Sequence, residues 1–138
     1  MQMTIQEFLQ GDQFALLAGV ELLTVGNGYA KASMEVQSKH LNGGGICQGG
    51  ALFTLADLAF AAATNSHARL TFSIDSSIHF FRPVSEGRIY AEAHELFSHK
   101  RLAHCDVHIT NEAGDLIATF QATGYRKDTP LPFDPIEE

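Results

Sequence analysis

Between His40 and Ala68 the sequence carries one formal charge, Asp57, set among Ala, Leu and Phe. A carboxylate taken out of water without a partner is costly, so one in such a setting is paired, protonated or used. Just upstream, Gln48-Gly49-Gly50 opens a helical run. The first amides of a helix lack intrahelical acceptors, and the helix dipole favours negative charge there. Glycine lets such backbone approach a ligand closely. A base beside water and donors aimed at an oxygen that gains charge are what hydrolysis of an activated acyl group needs. A structural role, with Asp57 capping a loop or pairing an Arg, accounts for the carboxylate alone equally well.

Those groups need elements to hold them. The longest helical run extends from roughly Gly50 to Asn65; its apolar residues fall on nearly every face, interrupted mainly by Thr54 and Asp57, which predicts a central helix buried all round. At the start of the chain, Thr4 and Glu7 are spaced as a capping box and Asp12 stands as an N-cap before QFALLAGV, so short helical turns come first. From Gly28 the period becomes two. Ala30, Ala32, Met34 and Val36 alternate with Tyr29, Lys31, Ser33 and Glu35, as in a strand with one buried face. Val20 to Val25 is its expected hairpin partner, through Gly26-Asn27-Gly28. After the helix, Leu70, Phe72, Ile74, Ser76, Ile78 and Phe80 form one alternating series, and RIYAEAHELF, RLAHCDVHITN and DLIATFQATGYR follow as strands. Tight links point to an antiparallel sheet, which must wrap the helix to bury it, an α+β arrangement. Residues 1–127 are expected to form one domain. The segment 128–138, with three prolines and four acids, is expected to be irregular or mobile.

Composition bounds the function. A chain of 138 residues, 45% hydrophobic and 18% charged, supports one real core. A net charge of −7 argues against general nucleic-acid binding but leaves room for a small anion held by a few local cations. No apolar run reaches the length of a membrane span, and MQMTIQEFLQGDQF lacks the basic start and apolar block of a secretory signal, so the cytoplasm is the expected address. Cys47 and Cys105 form no CxxC pair and suggest free thiols; Cys47, next to Ile46, reads as a packed thiol, with no specific His partner to make it a nucleophile. His104 and His108 share a strand face but are too widely spaced to chelate one metal easily. GGGICQ departs from GxGxxG at Gln48 and no glycine cluster is followed by GK[ST], so no metal or nucleotide cofactor is implied.

The combination of Asn42, Gly49-Gly50, LFTLAD ending at Asp57, and IHFFRPV on a later strand resembles the hotdog-fold acyl-CoA thioesterases of the phenylacetate-pathway (PaaI-like) group, over about residues 12 to 126. The resemblance implies an antiparallel sheet wrapped around a central helix, and hydrolysis of acyl-CoA to free acid and coenzyme A without a cofactor. It implies that Asp57 acts as nucleophile or general base, that the Gly49 N–H polarises the thioester carbonyl, and that Asn42 positions the acyl group or the attacking water. It gives Ser73 the orienting of that water. It further implies a homodimer with the site at the subunit interface, Asn42 and Gly49 from one subunit and Asp57 from the other, and dimers that pair into tetramers.

Gly50 joins Gly49 as backbone open to substrate. Coenzyme A brings phosphates, for which Arg82, before Pro83, and Lys100 and Arg101 are the candidate contacts; a solvated pair on an acidic protein explains Lys100 and Arg101 as well. One position departs from the family pattern: Gln48 stands where family members often carry His. Gln donates and accepts hydrogen bonds but does not become a cation. Activity is expected to survive, because the oxyanion donor is backbone. Two alternatives stand beside this reading. A non-catalytic acyl-CoA binding or sensing module would leave Asp57 structural. A hotdog hydratase or dehydratase would normally pair a His with an acid, and Gln48 counts against it.

Overall fold

The computed structural model describes residues 2–138. Helices α1 (Ile5–Leu9) and α2 (Gln13–Ala18) open the chain. Both begin at the caps read from the sequence. The Thr4 hydroxyl accepts from the Glu7 N–H while the Glu7 carboxylate accepts from the Thr4 N–H, and the Asp12 carboxylate accepts from the Ala15 N–H. α2 stops at Gly19, whose φ of 84° is the left-handed conformation that glycine adopts without strain. The hairpin β1 (Glu21–Gly26) and β2 (Tyr29–Val36) leads into a short 3₁₀ turn, Ser38–His40, and the glycine-rich loop. Helix α3 (Gly49–Asn65) follows, then β3 (Arg69–Phe80), β4 (Gly87–Ser98), β5 (Leu102–Asn111) and β6 (Leu116–Pro130). The six strands form one antiparallel sheet in the order β1-β2-β4-β5-β6-β3, so β1 and β3 are its edges. Among the described residues no helix is long and apolar enough to cross a membrane.

The sheet curls around α3. Ala30, Ala32 and Met34 of β2 and Ala91 and Ala93 of β4 are fully buried in one core with Leu55, Ala56, Ala59 and Ala63 of α3. Small side chains on both surfaces let helix and sheet approach closely. Toward β6 the residues grow: Phe120 meets Phe53 edge-on at 5.1 Å and Phe60 at 6.4 Å. Each fully buried Leu or Phe contributes about 1.5–3 kcal/mol.

Three expectations change in the folded chain. First, α3 is not covered all round: Gly50, Thr54, Asp57 and Ala61, spaced four, three and four apart, stay partly open. One sheet covers one side of a helix, and α1 and α2 are too short to close the other. Second, the alternating series on β3 does not hold a single face. Thr71 and Ser73 pair with the core-facing Arg126 and Gly124, whereas Phe72 pairs with the exposed Tyr125. A bulge between Ser73 and Asp75 then shifts the register, so that Ser76, Ile78 and Phe80 pair with core-facing β6 residues. Third, β6 runs past residue 127 to Pro130, which pairs with Arg69. Beyond it the tail is irregular in backbone but docked. Leu131 and Ile136 donate to the carbonyls of Ala68 and Ser66, and Phe133 is buried with Ile5 and Ala68.

Candidate active site

The site begins with a turn. Leu41 and Cys47 pair across the glycine-rich loop, and the Cys47 N–H donates to the Val84 carbonyl at 2.7 Å, binding the loop to the segment after β3. The Gln48 N–H donates to the His40 carbonyl at 2.7 Å, and the Gln48 carbonyl accepts from Ala51 and Leu52 as the helix starts. Gly49 and Gly50 are thus the first two residues of a 17-residue helix, and neither N–H has an acceptor among the described residues. Gly49 is glycine for space. A Cβ there would lie 2.7 Å from Phe80 Cζ, so the Phe80 ring and the bare backbone close on each other.

Two clefts flank this turn. One, of about 480 Å³, is lined by Asn42, Cys47, Gly49, Phe80, Arg82 and Pro83. The other, of about 520 Å³, is lined by Phe14, Leu17, His40, Gln48, Gly50 and Thr54. The Asn42 side-chain oxygen accepts from the N–H groups of Gly44 and Ile46, at 2.8 and 3.3 Å, and so shapes the loop. Its amide N–H₂ is left as a donor. The Gln48 side chain forms no cap and lies over Gly50.

Asp57 lies on the open row of α3, half-buried and without a hydrogen-bonded partner among the described residues. Burial first, and the charge of Asp12 second, push its pKa above the usual carboxylate value. Burial likewise raises the Cys47 thiol, which suits a packed side chain better than a thiolate nucleophile.

Within one chain the fold brings together Asn42, Gly49, Arg82 and Pro83 on one side of the turn, with Gln48 and Gly50 on the other. It keeps four other candidates apart from them. Asp57 is two helical turns further along α3, and Ser73 is exposed on the helix-facing side of the edge strand, at its bulge. Lys100 and Arg101 occupy the β4–β5 turn, whereas β4 starts beside the Arg82 segment and runs away from it. Arg101 is also engaged there by a two-point pair with Asp128, at 3.0 and 2.9 Å. Sequence reasoning passed over His40, whose side chain ties the turn to α2. That contact crosses 22 positions of sequence and leaves no local pattern.

An antiparallel sheet curled around one helix, with a glycine turn at the helix start, defines a class, and comparison with known proteins agrees with it. The family model described as "Thioesterase superfamily" matches residues 44–118, and the chain belongs to this family. Its hotdog fold and its relatives make it a PaaI-like thioester hydrolase. It is 32% identical to the acyl-coenzyme A thioesterase PaaI of Escherichia coli, over 85% of this chain and 84% of that protein. The solved E. coli PaaI structure superposes with a TM-score of 0.86, covering 90% of this chain and 91% of that one at 30% identity. A mutant of PaaI from Thermus thermophilus gives 0.80 at 33% identity, covering 84% of this chain and all of that one (100%). A protein of Archaeoglobus fulgidus is 38% identical over 89% of this chain and 80% of its own length.

Proposed function

We propose that the chain hydrolyses acyl-CoA thioesters at a site completed by a second copy of itself. The observation that carries this reading is the division of α3. Its first two N–H groups are unpaired between two clefts, and its half-buried, unpartnered carboxylate stands eight residues away. Eight residues of helix span about 12 Å, too far for both to act on one carbonyl. A partner whose α3 runs the opposite way supplies the other half.

The edge strand β3 suits such pairing. Its backbone edge is free, and Phe72, Ile74 and Phe80 are exposed along it. Antiparallel pairing of two β3 strands turns one copy end for end, which sets the partner subunit's Asp57 and the partner subunit's Ser73 toward the Gly49 turn. The thioester carbonyl then rests against the Gly49 N–H, with the Gly50 N–H beside it. The Asp57 carboxylate takes the proton from an attacking water and returns it to the departing thiolate, or attacks the carbon itself to give an acyl anhydride that water then hydrolyses. The tetrahedral oxyanion gathers its charge at the helix N-terminus, and coenzyme A leaves as the C–S bond breaks. Asn42 contributes its free amide donor, and the Gln48 amide takes the place of an imidazole. Arg82, at the rim of the Asn42 cleft and without a side-chain partner among the described residues, meets a phosphate; Lys100 and Arg101 reach one only from the second copy. Acyl-CoA as the substrate rests on the likeness to the E. coli enzyme, and the apolar residues of the clefts, Leu52, Phe80, Phe14 and Leu17, accept an aryl or alkyl acyl group.

The test is thiol release from short-chain, long-chain and aryl acyl-CoA, with light scattering to establish the oligomer, for wild type and Asp57→Asn. Turnover by a dimer or tetramer that collapses in the variant is the expected result. Saturable acyl-CoA binding without thiol release would make the chain a binding module, and an equally active variant would remove Asp57 from the reaction.

A further inference from the structure

His40 is buried at the end of the 3₁₀ turn, between the groups that have to be held and the helix that can hold them. Its Nε2 lies 2.7 Å from the Ala18 carbonyl at the end of α2, and its Nδ1 lies 2.9 Å from the Gln37 N. A carbonyl only accepts and a backbone N–H only donates, so the two partners dictate the neutral imidazole with its proton on Nε2. The backbone of the same residue accepts from the Gln48 N–H at 2.7 Å. One residue therefore joins three things: the C-terminus of α2, its own turn, and the residue that caps α3 immediately before the two free amides.

From this geometry we infer that His40 is a positioning residue, a clamp from α2 that sets the direction of the Gly49 and Gly50 N–H groups. The inference rests on the hydrolase reading above. Without the ring, the one hydrogen bond left between the turn and α2 among the described residues comes from Lys39, whose exposed Nζ donates to the Leu17 carbonyl. That link comes from a flexible side chain and leaves the Ala18 carbonyl unpaired. The Gln48 N–H would still find the His40 carbonyl, but in a turn held by its own backbone bonds and no longer anchored to α2 through the ring. Small misplacements of a group that stabilises charge in the transition state cost rate while leaving ground-state binding nearly intact.

The experiment compares His40→Ala, His40→Asn and His40→Gln with wild type, and with Phe133→Leu as a variant destabilised at the other end of the molecule. All are read below their melting temperatures. The first reading needs no turnover: the ¹H–¹⁵N amide positions of Gln48, Gly49 and Gly50. The second is kcat and KM for an acyl-CoA that wild type turns over. His40→Ala is expected to move the three amides and to lower kcat roughly tenfold to a hundredfold, with KM changed less than about twofold. His40→Gln, whose amide can still donate toward Ala18, should recover most of that loss, and His40→Asn, which keeps only the Gln37 contact, should recover little. Phe133→Leu should lose melting temperature alone. Unmoved amides, an unchanged kcat in His40→Ala, or a His40→Gln no better than His40→Ala would each overturn the clamp while wild type still turns over. A wild type that releases no thiol would instead remove the hydrolase reading, and the catalytic sense of the clamp with it.

Discussion

The two ends of α3 treat their polar groups in opposite ways. At the C-terminal end the Asn65 side chain bonds both the N–H and the carbonyl of Thr71, and Ser66 Oγ accepts from the Gly28 N–H while donating to the Ala63 carbonyl. Nearby, Glu95 joins His67 at 2.8 Å and Arg126 at 3.4 Å, and Arg126 also donates to the Ser98 hydroxyl and the His99 carbonyl. Arg126 Nε alone is left over there. At the N-terminal end, about 25 Å away, the Gly49 and Gly50 N–H groups and the Gln48 carboxamide have no partner among the described residues, and Asp57, on the open face midway along the helix, has none either. Leaving a buried polar group unpaired costs about 1–3 kcal/mol. The C-terminal groups are buried and meet this demand within the chain; those toward the N-terminus are exposed or half-exposed, where solvent meets it, which leaves them free for the ligand and second copy proposed above.

The largest expected break in this comparison comes from Asp57→Asn, which keeps the shape of the open end and removes its base. Thiol release should fall roughly 10²- to 10⁴-fold. Next comes the paired end: Glu95→Ala leaves Arg126 buried without its counter-charge and should cost about 3–5 kcal/mol in denaturant unfolding. Its kcat per folded molecule should match wild type; a loss comparable to that of Asp57→Asn would mean the ends are not separate. Gly49→Ala sharpens the contrast. Its Cβ must displace the Phe80 ring, so kcat should drop about tenfold or more while melting moves little. The smallest effect is a gain. Since burial and Asp12 raise the Asp57 pKa, the folded chain holds that proton more tightly than the unfolded one, and stability declines as pH rises from the ordinary carboxylate value through the raised one. Asp57→Asn should therefore melt higher than wild type near neutral pH, on the order of a few degrees, with the difference closing below about pH 4. For the wild type, activity should rise over the same interval as the carboxylate forms, and melting curves across pH test both statements.

Much of the scaffold was legible because it depends on local rules. The Thr4–Glu7 box, the Asp12 cap and the Ala30–Val36 alternation each require only neighbouring residues, and the folded chain contains all three, save that Ser33, bonded by Arg88, is buried on the other face. The β3 face was misread because a bulge inserts one residue, and a period of two cannot reveal where it falls. The tail looked featureless because its anchors, Phe133 on Ile5 and Ile136 on Ser66, lie far off in sequence. The open row on α3 was hidden for a related reason. Apolar residues on nearly every face announce a buried helix, but they do not say whether the cover comes from the same chain. At the site, glycines before a helix and a lone carboxylate were visible as types. That Arg101 is held by Asp128, and that His40 reaches α2, belongs to tertiary geometry.

Cys47 lies beside the loop and Cys105 lies in the core, both buried, with the Cys105 thiol pushed up to about 12 by burial ahead of its charged neighbours. Thiol reagents react with thiolates that they can reach. Of the two thiols, Cys105 is out of reach in the core, whereas Cys47 lines the Asn42 cleft with its thiolate disfavoured by burial, so slow labelling confined to Cys47 is the expected background in assays that detect released coenzyme A with colourimetric disulfides. Its rate would report how open that cleft is, and an acyl-CoA seated there should slow it.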